Sequence, residues 1–252
     1  MRVASRHRFV AGASGLLLLL LLLAVGKGSA ATQDVTFVQS ADEVERYDFV
    51  EVTATVPPPQ AANPFTDVEV KGTFGLKGQP PVPVDGFCDS ADGRVFRIRF
   101  MPARAGEYVY TVSIRLADDA RTHAGIFHAR EGNRRGPVRV DPAYPWHFVW
   151  EGTGEHYFWN GTTTYFLMGW KDEAVIRDAI DRLCRLKVNR IRVALTGRVD
   201  NGRAWYEDVY PGETFHFILN PWVAARPESV KDPGFDVTRF DVAYWQAWDQ
   251  WR

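Results

Sequence analysis

The sequence predicts a multidomain chain in which an all-β sandwich is followed by a parallel α/β segment. Two patterns carry this reading. Short runs with period-two alternation succeed one another from Phe37 to Val140. About seven or eight strands in about 105 residues, with no helical stretch, read as a sandwich. A strand–helix–strand pattern then spans Thr162 to Leu195, which describes one βαβ unit with parallel strands. The change of pattern at Asp141-Pro142 marks the expected boundary, so the domains are read as 1–31, 32–140 and 141–252.

Residues 1–31 read as a targeting segment. Arg2, Arg6, His7 and Arg8 form a basic start, Leu16 to Leu23 an apolar run, and Gly28-Ser29-Ala30-Ala31 a small-residue cleavage region. The apolar stretch of about 17 residues sits at the lower edge of bilayer-spanning length. A cleaved signal peptide is therefore expected, with the remainder secreted or at the cell surface, and a membrane partner only if the segment is uncleaved.

Within 32–140 the strands follow from alternation. Tyr47 to Val56 ends at Pro57-Pro58-Pro59, which cannot extend a ladder. Asp67 to Phe74 and Arg94 to Phe100 place charged and apolar residues on opposite faces, the latter after an Asp92-Gly93 turn. Gly106 to Ile114 is the longest run, and Tyr108 and Tyr110 near its start suit a corner locked by a tyrosine hydroxyl. Gly125 to Ala129 and Pro137 to Val140 close the set.

Beyond the boundary, Trp146 to Trp150 and His156 to Trp159 suggest a hairpin around Glu151-Gly152-Thr153-Gly154. Thr162 to Trp170 reads as a strand buried on both faces. Asp172 caps a helix running to Lys187, with Ala174, Val175, Ala179, Ile180, Leu183 and Leu186 at helical spacing. Asn189 to Leu195 is the second buried strand. Thr196 to Phe235 shows no periodicity but is rich in aromatics, and Asp236 to Arg252 begins a helix through Phe240, Tyr244, Trp245 and Trp248. The pattern is expected to continue past Arg252.

Composition narrows the partners. A net charge of -1 gives no basic footprint for nucleic acid. Nine Trp, nine Tyr and sixteen Phe fall partly in loop-like segments, where stacking on a ligand competes with plain packing. Cys88 and Cys184 fall in a strand region and a helix, so both are expected as buried, unbridged thiols. The sequence shows no His/Cys cluster, phosphate-cradling glycine loop or nucleophile elbow, so neither a metal nor a cofactor is expected.

A resemblance adds to this. The pieces are His147-Phe148-Val149-Trp150-Glu151-Gly152-Thr153-Gly154-Glu155, Gly161-Thr162-Thr163 leading to Leu167-Met168-Gly169-Trp170, Ile180-Asp181-Arg182-Leu183, Val188-Asn189-Arg190-Ile191-Arg192-Val193, Asn220-Pro221-Trp222 and Phe235-Asp236-Val237-Thr238-Arg239-Phe240-Asp241. In this order they resemble the start of the cellulase-like and apiosidase-like glycoside hydrolases that carry an immunoglobulin-like domain of unknown function. The resemblance implies an immunoglobulin-like sandwich followed by the N-terminal part of a (β/α)8 TIM barrel, incomplete here. It also implies a polysaccharide or oligosaccharide partner.

On that resemblance Arg192 would point inward and support a carboxylate nucleophile, since a neighbouring cation favours the ionised form. Trp170, Arg198, Trp205, Tyr206 and Trp222 would line the substrate face at the C-terminal ends of the strands. Hydrolysis needs a general acid and a second carboxyl group, which in the resembling family come from later strands. The parent protein is thus expected to be a glycoside hydrolase and this chain inactive alone. The competing reading is a non-catalytic carbohydrate-binding or adhesion module.

Overall fold

The structure, a computed structural model, describes residues 34–58, 61–165, 167–195, 220–227, 229 and 232–250. Nine strands build two facing sheets. They are β1 (Thr36–Gln39), β2 (Glu43–Glu45), β3 (Val50–Thr55), β4 (Val68–Leu76), β5 (Val82–Asp85), β6 (Phe87–Cys88), β7 (Val95–Phe100), β8 (Gly106–Leu116) and β9 (Asp119–Arg130). One sheet has the order β1-β3-β7-β6 and the other β2-β9-β8-β4-β5. All pairs are antiparallel except β2 with β9.

Alternation explains the core. In β3, Val50, Val52 and Ala54 are buried, and in β7 Phe96 and Ile98. From the facing sheet Phe74, Tyr108, Tyr110, Val112, Ile114 and Phe127 meet them. The Phe74 ring stacks on Phe100 at 4.7 Å, and Tyr108 stacks on Phe127 at 5.1 Å. Burying each such side chain stabilises the fold by about 1.5–3 kcal/mol. The Tyr108 hydroxyl donates to the Arg104 carbonyl at 3.1 Å, so the expected corner is present.

The other residues of β3 and β7 face outward. Glu51 lies opposite Arg99 and Thr53 opposite Arg97. Parity therefore gathers one carboxylate and two guanidinium groups on the outer surface of the four-stranded sheet.

Downstream come β10 (Val138–Val140), β11 (Phe148–Trp150), β12 (Gly161–Thr163), α1 (Glu173–Arg185), β13 (Arg190–Arg192), β14 (Trp222–Ala224), β15 (Phe235–Phe240) and α2 (Val242–Gln250). β10 pairs antiparallel with β11 and joins neither sandwich sheet, unlike its expected place in the strand set. The expected strand–helix–strand order is present, with β12 parallel to β13. Asp172 caps α1 by accepting from the Ala174 N–H at 2.9 Å.

The fold class read from the sequence requires correction. The described residues are mostly β, with several small sheets and two α-helices, and they show no (β/α)8 pattern. Barrel strands are buried on both faces, whereas β12 and β13 have three residues each, all exposed. The run Thr162 to Trp170 leaves the strand after Thr163, and a 3-10 turn occupies Leu167–Gly169. The next strands, β14 and β15, pair antiparallel. Asp236 to Phe240 is thus strand, and the helix starts at Val242 after Asp241, whose Oδ1 accepts from the Ala243 N–H.

Two smaller corrections follow from burial. The buried residue of α1 is Ile176, absent from the apolar set read from spacing, while Val175 is exposed. Both cysteines are free, but Cys184 is exposed rather than buried. Among the described residues no helix is long and apolar enough to cross a membrane.

Candidate functional site

The outer surface of the four-stranded sheet carries a chain of charges. Arg97 binds both Asp89 and Glu51, and Arg99 Nε donates to Glu51 Oε2 at 2.6 Å. Arg99 Nη1 continues the chain to Asp249 of α2 at 2.9 Å. The Arg99 guanidinium also lies 5.6 Å from the Phe49 ring centroid and 5.1 Å from that of Phe87. Burial acts against the Arg99 charge, but the hydrogen bonds to Glu51 and Asp249 outweigh it and raise its pKa above the ordinary arginine value.

Helix α2 reaches this surface because Val242, Trp245 and Asp249 recur at helical spacing. Gln246 Nε2 donates to the Asp89 carbonyl and to its Oδ1, each at 3.2 Å. Trp245 Nε1 donates to the Pro221 carbonyl at 3.0 Å, fixing the indole, and its ring meets Phe240 edge-on at 5.9 Å. Nearby, Asn63 Nδ2 donates to the Thr238 carbonyl at 3.1 Å and Arg239 to the Ala62 carbonyl. The β15 strand is therefore tied to the loop between β3 and β4.

Between sheet and helix lies a cleft of about 360 Å³ walled by Phe87, Phe240, Trp245 and Trp248, with Asp89, Arg99 and Asp249 supplying polar groups. A concave, largely apolar space with a few convergent polar groups is the usual form of a small-molecule site. A larger cleft of about 640 Å³ shares Arg99 and is lined by Glu43, Glu45, Asp48, Glu51, Arg130 and Arg134. Its charges pair with one another, as in Arg134 to Asp48 at 2.6 Å, and Phe49 is its one aromatic lining residue against four in the smaller cleft. The smaller cleft is the better candidate.

Of the residues expected to form the substrate face, the described ones (Trp170, Arg192 and Trp222) do not line this cleft. Arg192 is exposed on β13, with its guanidinium 5.1 Å from the Tyr165 ring centroid. Trp222 is half-buried in β14 and packs on Phe235 at 5.8 Å. Trp170 is half-buried just after the 3-10 turn. Arg198, Trp205 and Tyr206 lie outside the described residues. The cleft escaped sequence reading because Phe87 and Arg99 stand about 150 residues from Trp245 and Asp249.

Comparison with known proteins places these features. A domain family described as a domain of unknown function, DUF5060, matches residues 43–115, within the sandwich. No curated protein sequence matches the chain. The crystal structure of a "putative glycoside hydrolase" from Bacteroides vulgatus ATCC 8482 is similar with a TM-score of 0.65 and 24% identity over 83% of this chain. The chain spans only 38% of that protein's length. The Lin-41 filamin domain gives a TM-score of 0.29 at 15% identity, covering 39% of this chain and 93% of its own. The β-glucuronidase of Parabacteroides merdae gives 0.25 at 11% identity, covering 66% of this chain and 21% of its own. The last two scores are too low to bear on the fold. The first shows that most of the chain shares its fold with part of a longer protein.

Proposed function

We propose that this chain is part of a glycoside-hydrolase-related protein, and that the cleft between α2 and the four-stranded sheet binds a length of polysaccharide or oligosaccharide. The observation that carries the reading is the composition of the cleft. A sugar ring presents C–H groups on its faces and hydroxyls at its rim. The C–H face suits the negative π face of an indole or phenyl ring. The hydroxyls suit charged partners such as Arg99 and Asp249, whose hydrogen bonds are the stronger kind. The shared fold with the Bacteroides vulgatus protein, whose printed description names a glycoside hydrolase, points the same way.

The finer reading is hydrolysis by a general acid and a second carboxyl group. The carboxylates on the sheet surface do not suit that work. Glu51 and Asp89 are both engaged by Arg97, and Glu51 also by Arg99. We therefore assign this chain binding without turnover. Its basic and leucine-rich start supports work outside the cytoplasm.

The test is incubation of the full chain with a panel of plant and microbial saccharides, following both retention and new reducing ends. Retention without new reducing ends is expected. New reducing ends would overturn the binding-only reading, and failure to retain any saccharide would overturn the saccharide reading itself.

A further inference from the structure

The register of a short ribbon brings two histidines together. Val149 of β11 bridges His156, and the Tyr157 N–H donates to the Phe148 carbonyl at 2.7 Å. Side chains alternate along such a ribbon, so Phe148, Trp150, Tyr157 and Trp159 share one face. On that face Trp150 meets the buried Tyr157 at 5.0 Å, and the Arg190 guanidinium lies 3.9 Å from the Trp159 ring centroid. The opposite face carries His147 and His156 as diagonal neighbours, both exposed to solvent.

His147 Nδ1 and His156 Nε2 stand 3.2 Å apart. Two nitrogens bonded to one tetrahedral zinc at 2.0–2.1 Å lie about 3.3 Å from each other. The backbone holds both residues in place. The His147 N–H donates to the Tyr144 carbonyl at 2.8 Å, its carbonyl accepts from the Asp141 N–H at 2.9 Å, and the Trp150 N–H donates to the Glu155 carbonyl at 2.9 Å. Little rearrangement is then needed for both rings to meet one ion. Among the described residues no group of three His, Cys, Asp or Glu side chains gathers for a metal, so the pair offers two protein ligands from the described residues.

We propose that His147 and His156 form a two-imidazole clip for a divalent transition-metal ion of the zinc, nickel and copper class. Imidazole favours these ions over magnesium or calcium, and copper binds tightest in the series. The clip joins residues nine apart in sequence and staples the Glu151–Glu155 turn. Binding to the folded ribbon alone stabilises the fold by mass action.

The test uses the full chain purified without a polyhistidine tag, titrated with zinc and with copper by calorimetry. One ion per chain is expected, with affinity lowered about tenfold or more in His147→Gln and in His156→Gln and unchanged in His128→Gln. Copper spectra should show two nitrogen ligands in the parent and one in each single variant. Wild-type binding equal to that of the double variant, or copper spectra without two nitrogens, would overturn the proposal and leave an imidazole–imidazole hydrogen bond as the meaning of the pair.

Discussion

Arg99 of β7 donates to Asp249 of α2 at 2.9 Å across 150 residues of sequence. This contact closes one rim of the cleft and ties the C-terminal helix to the sandwich. Its energetic weight is modest, because Asp249 is exposed, and such pairs contribute about 0.2–1 kcal/mol. Arg99 matters more than its partner, since it also holds Glu51, whose side chain is 12% exposed. Asp249→Ala should cost less than about 1 kcal/mol, and Arg99→Ala about 2 kcal/mol. Urea unfolding of both variants and the double variant checks this. A coupling energy well above about 1 kcal/mol would contradict the solvent-screened pair.

Tyr244 anchors the other side of α2. It is 1% exposed, and its hydroxyl donates to the Leu195 carbonyl at 2.8 Å. Burial pushes its pKa up to about 12. A phenol in the unfolded chain ionises near 10, so its contribution is fully present below about pH 10 and is lost as pH rises through the folded value. Tyr244→Phe should cost about 1 kcal/mol at neutral pH and remove a phenolate absorbance step near pH 12. Persistence of that step in the variant would assign it to another tyrosine.

Acid acts at the junction between β15 and the sandwich. Hydrogen bonds from the Asn63 N–H and the Thr66 hydroxyl hold Asp67 below the ordinary carboxylate value, and the Thr238 hydroxyl and N–H do the same for Asp236. Groups depressed in the fold contribute stability above their unfolded pKa, near 3.9, and lose it as pH falls through the lower folded values. The urea midpoint should therefore be steady above about pH 5 and decline below about pH 4. Asp236→Asn should flatten part of that decline, and an unchanged slope would contradict the assignment.

Much of this arrangement was readable from alternation alone. Glu51, Arg97 and Arg99 announce the outer face of β3 and β7, Tyr108 the corner, and Asp172 the start of α1. These features are local, and a period of two or a cap reads directly from neighbouring residues. The errors came where local pattern competes with turns. Thr162 to Trp170 is apolar enough for a strand, yet only Gly161–Thr163 pairs before the chain turns. Asp236 to Phe240 fits a helical period as a prelude to α2 but is held as a strand by Trp222–Ala224. The cleft itself depends on two distant segments meeting, and no spacing within either one reveals it.

Saccharide binding in the cleft at Trp245 is tested most directly by a titration of the full chain with a retained oligosaccharide, followed by ligand saturation-transfer spectra. Trp245→Ala should weaken binding about tenfold or more, as expected for loss of an aromatic anchor, while Trp159→Ala, outside the cleft, should leave it unchanged. Undiminished binding in Trp245→Ala together with loss in Trp159→Ala would contradict the account and move the site to the β11 ribbon.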